Sequence, residues 1–166
     1  MNELIEKRRS IRKYQSGKAV TKEQLKQLLG AAMMAPSARN SRPWEFIAVT
    51  DRKILDEITN IHPYAKMLST ASAAIIVVAV PQTEISDDYS PQDCAAATEN
   101  ILLEAVSMGL GACWCGVFPK KERIAPLRKL LNISEPKIPF NVIAVGVPGE
   151  NPEQKGFYEE TKVSFI

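Results

Sequence analysis

Ala73-Ala74-Ile75-Ile76-Val77-Val78-Ala79-Val80 is an unbroken run of eight apolar residues, five of them β-branched. Successive side chains of a strand point to opposite faces, so a run with no polar interruption is apolar above and below. Such a strand sits centrally in a sheet and needs helices on both sides. The segment cannot span a bilayer: the longest apolar candidate, Ala71 to Val80, is ten residues, against about 20 for a membrane helix.

The flanking sequence supplies those helices. Thr21 to Ala35 carries Leu25, Leu28, Leu29 and Ala32 on one face, with Thr21 and Gln24 in capping-box positions, and Pro36 stops it. Phe46 to Thr50 reads as a short strand, and Asp51 then caps a helix striped by Ile54, Leu55, Ile58 and Ile61. Downstream, Gln92 to Met108 places Cys94, Ala97, Ile101, Leu102, Ala105 and Met108 on one stripe and ends at Gly109. Its small residues Ala95, Ala96 and Ala97 permit close approach of another helix. A strand at Ala112 to Val117, a helix near Lys121 to Leu131 and a strand at Asn141 to Val147 complete the alternation. The expectation is one domain over residues 1–166, a layered α/β or α+β sandwich. Residues 150–166 form a loose arm ending in Val163-Ser164-Phe165-Ile166, which reads as a strand; docking on its own domain and on a second subunit are both open.

Composition removes several chemistries. Net charge is only +2, which argues against nucleic acid, since phosphate-backbone binding shows as a basic excess over a face. The N-terminus lacks the apolar stretch of a signal peptide and nothing is long enough to cross a membrane, so the expected setting is cytoplasmic. Cys94, Cys113 and Cys115 are odd in number and lack a two-residue metal spacing, indicating neither a disulfide framework nor a zinc site. His62 is the only histidine. It precedes Pro63 in a loop, where a surface role is the ordinary one. No metal centre and no catalytic acid, base or nucleophile is indicated, and the chemistry of an enzyme built this way belongs to a cofactor.

Four segments are candidate site material. Arg8-Arg9-Ser10-Ile11-Arg12-Lys13-Tyr14 packs four cations and a hydroxyl into seven residues. Run extended, it brings Arg8, Ser10 and Arg12 to one side and turns Ile11 to the core, and guanidinium forks with a hydroxyl suit a phosphate monoester. A solvated basic helix is the plainer reading of the same residues. Pro36-Ser37-Ala38-Arg39-Asn40-Ser41-Arg42-Pro43-Trp44 is a loop rich in donors, and turn chemistry accounts equally well for it. Gly109-Leu110-Gly111-Ala112-Cys113-Trp114-Cys115-Gly116 is a glycine-flanked strand, where Gly116 lets a planar ligand approach the backbone. Tyr89-Ser90-Pro91-Gln92-Asp93-Cys94 opens the long helix.

In order, RRSIRKY, PSARNSRPWEF, HPYAKML, QDCAAATENILL and GLGACWCGV, with a C-terminal arm, resemble the nitroreductase family of flavin-dependent oxidoreductases, from about Arg8 to the C-terminus. The resemblance implies an α+β sandwich, α/β/α, with a mixed, largely antiparallel sheet, and a homodimer with FMN at the interface and arms exchanged. It implies NADH or NADPH as donor and nitroaromatics, quinones or similar compounds as acceptors, by ping-pong hydride transfer. By position, Arg8 and Ser10 would hold the FMN phosphate, with Arg9 beside the ribityl chain and Lys155 of the arm completing the site. Arg12 and Lys66 would face the flavin N1 and O2 edge, where reduction adds negative charge. Trp114, Cys115 and Gly116 would lie on the N5 side. Pro36, Ser37, Ala38 and Asn40 would come from the other subunit, and Arg42, Tyr89 and Gln92 would meet the acceptor. Lys13 falls outside the site, toward solvent.

The family commonly has glutamine where this chain has Arg42. Pointing inward, that cation would favour anionic acceptors; pointing outward, it is an ordinary surface residue. Cys113 and Cys115 read as small core residues. Two other functions fit the same sequence: a dedicated single-substrate enzyme of the family (dehalogenase, ene-reductase or flavin-fragmenting enzyme), and a flavin-binding sensor or carrier without significant turnover.

Overall fold

The structure, a computed structural model, describes residues 1–81, 88–154, 156 and 158–166. Among these residues the sheet has four strands, β1 (Trp44–Val49), β2 (Ala73–Ala79), β3 (Gly111–Gly116) and β4 (Ile138–Gly146), in the order β1-β2-β4-β3. Every neighbouring pair is antiparallel. Among the described residues, the parallel element of the expected mixed sheet is a bridge from Ser10 to Ala112. β2 is central, and all seven of its residues are buried.

The alternation along β2 divides the core in two. Ala73, Ile75, Val77 and Ala79 pack toward α2 (Lys22–Met33) and α4 (Ser90–Ser107), whereas Ala74, Ile76 and Val78 pack toward α3 (Arg52–Ile61) and α5 (Lys121–Leu130). β4 repeats the division, with Ile143 and Val145 on the first side and Val142 and Ala144 on the second. An antiparallel sheet commonly wets one face. Here both are covered, because the helices between strands return alternately above and below.

Local signals set the helix ends. The Thr21 hydroxyl accepts from Gln24 N, and the Gln24 side chain accepts from Thr21 N, a reciprocal capping box. Asp51 accepts from Lys53 N and Ile54 N at the start of α3. The small residues of α4 let α2 approach closely enough for Asn100 to donate across to Ala31 O at 3.0 Å. One expectation fails: Val163–Ile166 is not a strand. A turn of 3₁₀ helix at Glu160–Lys162 precedes it, and Phe165 and Ile166 are exposed. Apolar alternation over four residues cannot make a strand without an edge to pair with.

Candidate functional site

The N-terminal segment is clamped to the sheet by two side chains. After the short helix α1 (Glu3–Lys7), Ile11 N donates to Ala112 O at 3.0 Å, and Ile11 enters the core over Gly111. A Cβ at Gly111 would lie 2.8 Å from Ile11 Cγ2, so the close approach requires glycine. Three residues on, Tyr14 packs over Gly146 in the same manner, and its hydroxyl donates to Ile11 O at 2.8 Å. Burial raises the Tyr14 pKa, so the phenol stays protonated and keeps donating.

With Ile11 and Tyr14 turned inward, the polar residues between and before them wall a cavity of about 650 Å³. Arg8, Arg9, Arg12 and Lys13 meet there with Ser10, against two carboxylates, Glu150 and Glu153. Most of these groups are already held. Arg8 Nε lies 3.6 Å from Glu99 of α4, Arg9 Nε donates to Glu153 O at 3.1 Å, and Glu150 accepts from the backbone N–H of Arg12 and Lys13. Lys13 borders this cavity and is exposed, toward solvent as expected.

Arg12 also lines a second cavity, of about 580 Å³, so the two have this residue in common. One wall is β3, from Cys113 to Gly116; the other is His62 to Met67, including Lys66. The Trp114 ring packs against Phe140, centroids 6.0 Å apart, on the other side of the sheet, which leaves its backbone to meet the cavity. Gly116 differs from Gly111: nothing lies within 4 Å of where its Cβ would be, and its φ is not positive.

Cys113 and Cys115 are buried as expected of core residues, yet both border this cavity. The pair shares one interaction. The Cys115 thiol and the Arg12 guanidinium favour ionisation of Cys113 and hold its pKa below the ordinary thiol range, while Cys113 and burial push Cys115 up. Cys94 lies in the other core layer, where burial pushes it up to about 12.

The loop after α2 is not brought to either cavity within one chain. Pro36, Ser37, Ala38 and Asn40, with Arg42, Tyr89 and Gln92, line neither. The loop is nonetheless built firmly. Ala38 N donates to buried Asp93 at 3.0 Å, Ser37 Oγ accepts from Arg42 N at 2.9 Å, and Arg39, Asn40 and Arg42 all hold positive φ. Non-glycine residues in that region are uncommon and persist where surroundings impose them. Arg42 is exposed and donates to Asn40 Oδ1 at 3.2 Å. Lys155 lies outside the described residues.

His62 is the residue the sequence misplaced. It is 1% exposed. Its signal was present: it follows Leu55 and Ile58 at helical spacing and continues their buried stripe past the end of α3. Pro63 hid it by marking a loop. Glu150 carried no comparable signal, because its contacts lie 137 and 138 residues away.

Comparisons with known proteins agree with one another. A family model described as the nitroreductase family matches residues 5–62 and 62–147. A relative from Methanothermobacter thermautotrophicus, provisionally named an NADH dehydrogenase/NAD(P)H nitroreductase, is 44% identical over 161 residues, covering 97% of this chain and 84% of its own. A crystal structure from Parabacteroides distasonis, given the same provisional name, superposes with a TM-score of 0.92 at 42% identity, covering 98% of this chain and 95% of its own. A structure from Clostridium difficile described as an FMN-dependent nitroreductase gives a TM-score of 0.89 at 30% identity, covering 99% of this chain and 98% of its own.

Proposed function

Because the chain belongs to the nitroreductase family of oxidoreductases, we propose that it binds FMN in the two joined cavities and uses NADH or NADPH to reduce nitroaromatics, quinones or similar acceptors. The observation that carries this reading is Arg12, which borders both a basic wall and a cavity lined by strand backbone. A phosphorylated, planar cofactor has those two ends. Gly116 supplies the test of fit. Neither packing nor backbone conformation in this chain calls for glycine there, and a ring stacked near the strand would.

The bound flavin would supply hydride transfer at N5, in a ping-pong cycle of reduction by NAD(P)H and re-oxidation by the acceptor. The chain's own residues bind and polarise. Arg8, Arg9 and Ser10 offer donors to a phosphate, with four cations against two carboxylates leaving a net positive wall. Arg12 and Lys66 place positive charge at the second cavity, which favours the more negative state of any ligand held between them. In this reading neither cysteine takes part as a nucleophile.

The remaining wall is proposed to come from a second copy. Pro36 to Asn40 is rigidly built yet lines neither of these cavities in its own chain, and Met33, Met34, Phe165 and Ile166 are exposed apolar residues. A homodimer that exchanges the arm of residues 150–166 accounts for both. Arg42, Tyr89 and Gln92 would then meet the acceptor across the interface. Mixing an Arg8→Ala protein with an Asn40→Ala protein, then exchanging subunits, should restore FMN binding at roughly a quarter of the sites, because half the dimers are mixed and each regains one intact site. No restored binding would place both residues in the same site of one chain.

No helix among the described residues is long and apolar enough to cross a membrane. Three unpaired, buried thiols support a reducing, cytoplasmic setting. The deciding experiment is spectroscopic. Purified protein with added FMN should show a bound-flavin band near ~450 nm, a property of the cofactor, that bleaches with NADH or NADPH and returns with a nitroaromatic or a quinone. Protein that stays colourless overturns the reading; a flavin that binds without bleaching makes the chain a carrier.

A further inference from the structure

The lone histidine joins the two walls of the second cavity. His62 Nε2 lies 2.7 Å from Gly116 O, at the end of β3, while its Nδ1 accepts from Tyr64 N at 3.2 Å. These partners assign the tautomer. Nδ1 faces an N–H and carries no proton, and Nε2 faces a carbonyl and carries one. Gly116 O accepts a second hydrogen bond from Arg123 Nη1 of α5 at 2.9 Å, and Val117 N donates to Phe140 O at 3.1 Å, so the peptide unit after Gly116 is held at both ends. Arg123 in turn lies 5.3 Å from the centre of the Tyr64 ring.

We infer that His62 is a positioning residue for the flavin site: neutral His62 holds the Gly116 end of β3 and the turn at Tyr64 as opposing walls of one cavity, and its protonation releases the Tyr64 wall. This rests on the flavin reading above. Protonation would set an Nδ1–H against the Tyr64 N–H, two donors facing each other. It would also add a positive charge among positive neighbours. The groups that share the cavity or its rim are Arg123 from α5, Arg12 from the N-terminal segment, Lys66 and Tyr64 from its own segment, and the thiols of Cys113 and Cys115 from β3. No carboxylate is among the described residues lining it.

Burial lowers the His62 pKa from the ordinary value of 6.5; the hydrogen bond to Gly116 O opposes this, and Arg123 lowers it further. A group whose folded pKa is depressed in this way adds stability above the unfolded value, and that stability is lost as pH falls below about 6.5 toward the folded pKa. The clasp should therefore be intact at neutral pH and fail in acid.

The test has two arms, one without flavin. In cofactor-free, untagged protein labelled with ¹⁵N-histidine, the single imidazole should give one resonance set, with a protonated Nε2 and a bare Nδ1, that persists below the ordinary titration midpoint. Averaged tautomers titrating at the ordinary value overturn the inference. In the second arm, FMN dissociation constants are compared for the parent, His62→Asn and His62→Gln. Asparagine can still accept from Tyr64 N through an Asx turn but cannot reach Gly116 O, which glutamine can. His62→Asn should bind FMN roughly ten-fold more weakly, and His62→Gln should recover most of that loss. Between pH 7.5 and 5 the parent should lose more affinity than His62→Gln; titration of the FMN phosphate is common to both and cancels. Equal loss in the two variants, or none in either, overturns the positioning role while leaving the flavin reading intact. A parent that binds no FMN overturns the flavin reading, and the positioning role falls with it.

Discussion

A Gly116→Val variant is expected to fold as the parent does and to bind FMN at least about a hundred-fold more weakly, a loss of the size a displaced ligand produces when a close approach is blocked. The first half follows from the flavin-free geometry. Nothing lies within 4 Å of a Cβ at Gly116, the position is exposed, and the backbone φ is one that any residue adopts. Valine suits a strand better than glycine does, so the midpoint of thermal unfolding without FMN should hold or rise. The second half follows from the cavity. Gly116 itself lines the cavity with His62, Cys115 and Arg12, and a planar ring held there must come close to the strand at this residue. Gly116→Ala should fall between parent and valine. Circular dichroism with FMN titration checks the pair, and parent-like affinity in Gly116→Val would place the flavin elsewhere.

Gly111→Val, five residues earlier on the same strand, should behave in the opposite sense. Its Cβ would stand 2.8 Å from Ile11 Cγ2 and 2.9 Å from Ile11 Cβ, closer than real side chains come. Overpacking of this kind costs about 2–3 kcal/mol, which lowers the unfolding midpoint by roughly 4–12 °C in a chain of this size. The damage would spread to function. Relief of the clash moves Ile11 off β3, breaks its hydrogen bond to Ala112 O, and carries Arg8 to Arg12 with it. Denaturant unfolding of flavin-free protein measures the cost. Because the clash is pairwise, Ile11→Ala combined with Gly111→Ala should be less destabilised than the two single losses added. Simple additivity would show that the N-terminal segment is not packed as described.

The two glycines show where sequence reading reached and where it stopped. Gly111 and Gly116 are identical as letters in a glycine-flanked strand. One is there because Ile11, a hundred residues earlier, needs its space; the other has no such claimant in the chain. Ile11 itself was legible as a core residue because alternation in an extended segment is a local property. The hold of Glu150 on the Arg12 and Lys13 amides was not, since it joins residues 138 and 137 positions apart. His62 lay between these cases: its spacing from Ile58 was readable, but Pro63 argued for an exposed loop, and only the packing of α3 against the sheet decided that the imidazole goes inside. The same limit applied to the last four residues. Their apolar pattern was real, yet a strand exists only where a partner edge is available.

What the sequence determined by itself was periodic and short in range: a strand apolar on both faces, helices capped at Thr21 and Asp51, and a basic segment whose alternate residues share a side. Neighbours in the chain suffice for these, because helix and strand periods and capping hydrogen bonds are set within a few residues. Only the tertiary structure decided that the strands lie in the order β1-β2-β4-β3, that Arg12 is common to two cavities, and that one histidine ties both walls of the second. Each of those is a meeting of residues far apart in sequence. Such meetings are chosen by burial and hydrogen bonding summed over the whole chain, and no single stretch of it encodes them.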